Sequence, residues 1–353
     1  MKMTQRARRT AVALVAAAAI GGSGVAVGAA AAPGASSSTS TVSAPAARAG
    51  YAGIVRQVLP SVVLISTTEG LGSGVVLDRS GNIVTNAHVA GTATSFKVQV
   101  AGDASARAAT LVGSYRPDDL AVIRLADRSG LQPARFGDSS RVQAGDEVLA
   151  VGNPLGLSGS VTSGIVSATG RVVTEPASGG SPGATLPDAI QTSAPINPGN
   201  SGGALVTTAG EVIGIPTLTA AGGQDGAQVQ GIGFAIPANL ARDIARQIIS
   251  AGTVSNSHRA AIGAQVGTVT GQDGSPAGAG IVAVSAGSPA ERAGLRSGDV
   301  IRAVGGTPTA DPQALASALA AQRPGDKVTL AVTRGPQQLS VPLTLGELPA
   351  ATG

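Results

Sequence analysis

The sequence predicts a mostly β protein in two folded units, and three observations lead there. Short aliphatic runs separated by Gly, Asn, Asp and Pro recur from about residue 54 to residue 237, which signals antiparallel strands in a sandwich or a pair of barrels and not βαβ units. Composition agrees: 51 Gly and 21 Pro supply turns without a collagen period, while abundant Val, Ile, Leu and Ala can bury a core. The length of 353 residues exceeds one ordinary domain and leaves a second, smaller unit after residue 259.

In chain order, Lys2, Arg6, Arg8 and Arg9 precede an uncharged stretch from Thr10 to Ala32, the order of an export signal over residues 1–32. Retained instead of cleaved, the same stretch is a membrane anchor. These two readings place the folded part outside the cytoplasm, in the cell envelope or beyond it, with the positive flank inside, whereas the third, a plain Ala-rich disordered tail, does not. Residues 33–50 are Pro, Ala, Ser and Thr, which cannot bury enough surface to order themselves and read as a disordered linker.

Residues 51–252 form the first folded unit. Its strands begin with Ser61-Val62-Val63-Leu64-Ile65, Gly74-Val75-Val76-Leu77, Asn82-Ile83-Val84-Thr85, Phe96-Lys97-Val98-Gln99-Val100 and Leu120-Ala121-Val122-Ile123-Arg124-Leu125. A second set comprises Glu147–Val151, Gly164–Ala168, Gly203–Val206, Glu211–Ile215 and Gly231–Ile236. Two Gly-, Ser- and Ala-rich stretches, 175–187 and 217–229, read as long loops. A helix closes the unit, with Pro237 near its first turn and Leu240, Ile244 and Ile248 on one face before Gly252. The polar segment from Gly252 to Arg259 is a domain boundary, and the histidine in it, His258, reads as solvated. The second unit, 259–346, has strands such as Gly280–Val284 and Lys327–Val332, plus one helix starting at Asp311-Pro312 with Leu315 and Leu319 a turn apart. A small β unit with a helix beside an open strand edge can take a peptide as an added strand.

Charge and composition exclude several functions. The net charge of +4 resides entirely in the four cations before residue 33, so the remainder is neutral and offers no basic patch for nucleic acid. With five aromatic residues there is little surface for base stacking. The absence of cysteine removes disulfide scaffolds, four-cysteine zinc sites and thiol chemistry, and two histidines argue against a multi-histidine metal centre. The expectation is a protein with no metal and no cofactor.

The chemistry concentrates around Asn197-Pro198-Gly199-Asn200-Ser201-Gly202-Gly203. Glycines around one serine let the chain turn tightly, expose the hydroxyl and aim amide hydrogens into one space. A serine nucleophile needs a base within hydrogen-bond reach and a carboxylate orienting that base. The other histidine, His88, sits in Thr85-Asn86-Ala87-His88-Val89, where a strand ends. Asp118 and Asp119, entering the strand at Leu120, are the carboxylate candidates. The order His, Asp, Ser on an all-β chain of this size matches chymotrypsin-type hydrolases. An α/β-hydrolase esterase is disfavoured, because it needs a parallel sheet and a Gly-x-Ser-x-Gly elbow.

Further segments make the resemblance specific: Gly72-Ser73-Gly74-Val75-Val76, Asp119-Leu120-Ala121-Val122, Gly152-Asn153-Pro154-Leu155-Gly156-Leu157, Val161–Ser167 and Gln191–Gly203. Over about residues 54–346 the chain resembles the HtrA (DegP/Deg) family of serine proteases, a chymotrypsin/trypsin-like double six-stranded β-barrel followed by a PDZ domain. The resemblance implies His88 as general base, Asp119 as its orienting carboxylate, Ser201 as nucleophile, and an oxyanion hole from the backbone N–H groups of Gly199 and Ser201. It also places the specificity pocket at Pro195, Ile215, Pro216 and Thr217; no carboxylate is there, so small or aliphatic side chains are expected at the cleaved bond. In the PDZ-like unit, Gly278-Ala279-Gly280-Ile281-Val282 resembles the carboxylate-binding loop and strand, with Leu315 on the facing helix. The implied partners are unfolded proteins or peptides, C-terminal peptides at the PDZ unit, and copies of the chain in a homo-oligomer, as a trimer. A catalytically silent, chaperone-like peptide binder is the alternative.

Overall fold

The computed structural model describes residues 46–68, 70–153, 160–175, 184–197, 199–222, 227–271 and 273–348. The expected export signal or anchor lies outside the described residues. Among the described residues no helix is long and apolar enough to cross a membrane.

After helix α1 (Ala46–Val58), six strands follow: β1 (Val62–Ser66), β2 (Leu71–Val76), β3 (Asn82–Thr85), β4 (Ser95–Gln99), β5 (Arg107–Tyr115) and β6 (Leu120–Leu125). They pair antiparallel in the order β1-β2-β3-β6-β5-β4, and β1 pairing with β4 closes the barrel. Six more strands form a second closed barrel: β7 (Glu147–Gly152), β8 (Ser160–Glu175), β9 (Ala184–Thr192), β10 (Ala204–Thr207), β11 (Val212–Gly222) and β12 (Ala227–Pro237). The one-turn helix α2 (Ala87–Ala90) follows β3, and α3 (Ala238–Ala251) follows β12.

Strand alternation explains why these segments read as unbroken apolar runs. Along β6, Ala121, Ile123 and Leu125 fill the first barrel, whereas Leu120 and Val122 face a separate core. Along β7, Val148 and Ala150 fill the second barrel while Leu149 and Val151 join that same separate core. The shared core also takes Ile244 and Ile248 of α3, so it is the seam that holds both barrels and the helix together. Gly252 ends α3 in the left-handed conformation, φ 71°, its N–H bonded to Ile248 O.

The second unit contains β13 (Ala260–Ala261), β14 (Ala264–Thr270), β15 (Pro276–Val284), α4 (Pro289–Arg292), β16 (Val300–Val304), β17 (Thr307–Pro308), α5 (Pro312–Ala320), β18 (Lys327–Arg334), β19 (Gln337–Thr344) and β20 (Gly346–Glu347). Its main sheet runs β14-β15-β16-β18-β19. Asp311 caps α5, its carboxylate accepting from Ala314 N at 2.7 Å, and Leu315 and Leu319 pack into the unit's own core.

Three expectations need correction. The segment read as a linker to residue 50 already enters α1 at Ala46, a helix anchored by buried Ile54 and Val58. Of the two stretches read as long loops, the described ends are strand: β8 runs to Glu175 and β9 starts at Ala184, and β11 runs to Gly222 and β12 starts at Ala227, while 176–183 and 223–226 lie outside the described residues. Their small, polar composition hides strands because the ladder pairing is set by the partner strand and not by side-chain pattern. Finally, the proposed peptide-binding stretch Gly278–Val282 lies in β15, an interior strand. Ala279 pairs with both Thr268 and Ile301, and Gly280 with both Gly267 and Val300. With ladders on both sides, that stretch has no edge on which to add a peptide. Leu315 is buried in the core, where it cannot form an open groove wall.

Candidate active site

The site forms at the seam where the barrels meet. Asn86 precedes α2 with extended backbone, so the chain turns sharply after β3 and presents His88 at the barrel end. Asp119 follows the 3-10 turn Arg116–Asp118 in a left-handed conformation, φ 51° and ψ 42°. This uncommon geometry for a non-glycine residue points its carboxylate at α2. His88 Nδ1 lies 2.8 Å from Asp119 Oδ2, and the His88 backbone N–H donates to Oδ1 at 2.9 Å. The Asp119 carbonyl in turn accepts from Ala87 N at 3.0 Å and Asn86 Nδ2 at 3.1 Å. The Asp119 side chain is 5% exposed, the His88 ring 33%.

Against an ionised carboxylate, which only accepts, the 2.8 Å contact calls for a proton on Nδ1, and in the neutral tautomer Nε2 is then the acceptor. Of the two candidate aspartates, the structure brings Asp119 to His88. Asp118 points the other way, fully buried, and pairs with Arg259 at 3.1 Å.

Ser201 comes from the second barrel, on the turn between β9 and β10. Asn200 N donates to Asn197 O at 2.9 Å, Gly203 N to Asn200 O at 3.0 Å, and Gly202 N to Pro216 O at 2.9 Å. Gly202 is required: φ is +79°, and a Cβ there would lie 2.2 Å from Ser73 O. Ser201 Oγ donates to Thr217 O at 3.3 Å, and the Thr217 hydroxyl donates to Asp119 Oδ2. Thr217 thereby touches both the serine and the aspartate, a role that its position as a pocket-wall candidate did not reveal.

The other three expected pocket residues lie nearby in the second barrel. Ile215 is fully buried in the seam core, pointing away from solvent. Pro216 O is occupied by Gly202 N, and the Pro195 side chain is exposed while its carbonyl accepts from Thr162 Oγ1 at 2.7 Å. The neighbour Ile196 is the buried one, 3% exposed, and it lies against Gly233, where an added Cβ would come within 2.4 Å of its Cγ1. His258 sits apart, half exposed, against Asp243 at 3.1 Å. Among the described residues no cluster of three His, Asp or Glu could hold a metal ion.

Two closed antiparallel barrels with a serine turn on one and a paired His and Asp on the other define a trypsin-like hydrolase fold, and comparison with known proteins agrees. Residues 72–215 match the trypsin-like peptidase domain model and residues 280–334 the PDZ domain model. The chain is 36% identical over 319 residues to serine endoprotease DegS of Salmonella typhimurium, covering 86% of this chain and 87% of DegS. It is 40% identical over 285 residues to the periplasmic pH-dependent serine endoprotease DegQ of Escherichia coli and 39% identical over 298 residues to serine protease PepD of Mycobacterium tuberculosis. These alignments take 78% of this chain in both cases but only 59% of DegQ and 61% of PepD. Among solved structures, the HtrA-type protease AlgW with a decapeptide is 34% identical with a TM-score of 0.56, over 85% of this chain and 99% of that one. A serine endoprotease from Yersinia pestis gives 34% and 0.55, over 84% and 98%. The chain belongs to the HtrA family of serine proteases with a C-terminal PDZ domain.

Proposed function

We propose that the protein is an endopeptidase that cleaves unfolded proteins, with His88, Asp119 and Ser201 as its catalytic triad. The observation that carries the reading is the linked set His88–Asp119–Thr217–Ser201, in which one threonine joins the carboxylate of one barrel to the serine of the other. Ser201 Oγ attacks the peptide carbonyl while His88 Nε2 takes its proton. The resulting imidazolium is stabilised by Asp119, and the tetrahedral oxyanion is held by the N–H groups of Gly199 and Ser201. His88 then protonates the leaving amine, and water releases the acyl group by the same steps.

Ile196, packed against Gly233, adds an aliphatic side chain beside the expected pocket residues Pro195, Ile215, Pro216 and Thr217. An aliphatic floor with no carboxylate suits Val, Ala or Leu and gives no partner to Arg or Lys. The PDZ unit receives C-terminal peptides along the free edge of β14, beside α5, to capture substrate or regulate the protease. The basic-then-apolar N-terminal sequence and the periplasmic relatives support action in the cell envelope, and the family resemblance supports a homotrimer.

The test is cleavage of an unfolded protein by the wild type and by Ser201→Ala, with and without a hydrophobic C-terminal peptide. Wild-type turnover should exceed that of the variant by at least about a thousandfold. Equal activity of the two proteins would show instead a silent, chaperone-like binder.

A further inference from the structure

Ser73, in β2 of the first barrel, has every polar atom committed, and all but one of its bonds reach into the second barrel's loops. Its N–H donates to Ser201 O at 2.9 Å and its Oγ donates to Gly199 O at 2.6 Å. The same Oγ accepts from Asn153 N at 2.8 Å, and the Ser73 carbonyl accepts from Thr85 Oγ1 at 2.7 Å. The residue is completely buried. One side chain and its own backbone therefore hold the carbonyls of Gly199 and Ser201, the two residues whose N–H groups are assigned above to the oxyanion hole.

We infer that Ser73 is a positioning residue for the oxyanion hole, its hydroxyl fixing the peptide that follows Gly199 so that the two amides converge on one point. This rests on the reading of Gly199 and Ser201 given under Proposed function. The physical need is local. Gly199 sits at φ 105°, a region open chiefly to glycine, and glycine has the least resistance to rotating its neighbouring peptide planes. The plane between Gly199 and Asn200 is held at both ends, its oxygen by Ser73 Oγ and its N–H by Asn197 O at 2.9 Å. The bond from Ser73 N to Ser201 O comes from the backbone, so it is open to any residue at 73 except proline. The hydroxyl is what a serine adds, and only it reaches Gly199. The clamp also arises from the opposite barrel, so the hole is complete only when the two barrels are docked.

Oxyanion donors act in the transition state, so a loosened hole should lower kcat and leave substrate binding alone. Ser73→Ala should lower kcat per titrated active site about ten- to hundredfold with KM changed less than about twofold. Affinity for a peptide boronate, whose tetrahedral adduct places an oxygen in the hole, should fall by the same factor as kcat. Ser73→Cys, a weaker donor of similar shape, should fall in between and serves if the alanine variant does not fold. An unchanged kcat per active site in either variant, with only thermal stability reduced, overturns the inference. So does a boronate affinity that tracks KM. Failure of the wild type itself to show Ser201-dependent cleavage would count against the proposed function and is seen in the same assay, before any variant is compared.

Discussion

Thr217 shows how much one hydroxyl can contribute at this site. Its donation to Asp119 Oδ2 gives the carboxylate a third acceptor bond, beside those from the His88 backbone and ring. A hydrogen bond to a charged group contributes about 1.5–3 kcal/mol. Here it holds Asp119, 5% exposed, in the orientation that calls for a proton on His88 Nδ1. Thr217→Val removes the donor and keeps the shape, leaving one side of a buried carboxylate uncompensated. We expect kcat to fall about ten- to hundredfold with KM nearly unchanged, and Thr217→Ser to restore most of it. Steady-state kinetics on one peptide substrate decides the matter, and a valine variant with wild-type kcat would remove Thr217 from the machinery. The sequence offers His88, Asp119 and Ser201 as candidates because their residue types announce chemistry. It offers Thr217 only as a pocket wall and Ser73 only within a matching segment, because a threonine and a serine in β strands look like ordinary strand residues until the groups they touch are known.

Secondary-structure elements differ in legibility for a related reason. Helix α3 was plain from the spacing of Leu240, Ile244 and Ile248 and from Gly252, since both its pattern and its stop signal are local. The continuous run Val62–Ile65 was equally plain, because strands buried on both faces carry apolar residues throughout. Strands β5 and β9 were missed: their pattern is diluted by Arg, Ala, Thr and Pro, and pairing with β6 and β8 decides their fate. The order of strands in the PDZ sheet was beyond any local reading, and that is why Gly278–Val282 was mistaken for the peptide edge. Topology moves the expected docking strand to β14, which ends the sheet and touches α5. Titration with a hydrophobic C-terminal peptide, followed by amide resonances, should therefore shift Ala264–Thr270 and spare Gly278–Val282 apart from small indirect changes. Hydrogen-exchange protection appearing on β15 and not on β14 would reverse that assignment.

At the scale of the whole molecule, the two units are joined by a connection that is itself folded. Gln247 of α3 accepts from Ser255 N at 3.0 Å and Asn256 N at 2.9 Å, and donates to Asn256 O at 2.7 Å, pinning the linker to the protease helix. The next step of the chain, Arg259, enters the protease and donates to Pro117 O at 2.6 Å and to Asp118 at 3.1 Å. The linker thus ends one residue from Asp119. Burial pushes the Asp118 carboxyl up from 3.8 to about 6, more than the attraction of Arg259 and His258 pulls it down. The native state therefore keeps the Asp118 proton over a range in which the unfolded chain has lost it. Stability from this group is greatest below about pH 4 and declines as pH rises towards about 6, by on the order of 3 kcal/mol in all. Asp118→Asn cannot titrate, so the stability of the wild type relative to that variant should fall by that amount across the same window and stay level above it. Denaturant unfolding of both proteins at a series of pH values from 4 to 8 measures the difference directly. Two curves that run parallel throughout would mean that the carboxyl is solvated in solution and that the second unit does not seal the base of the Asp119 turn.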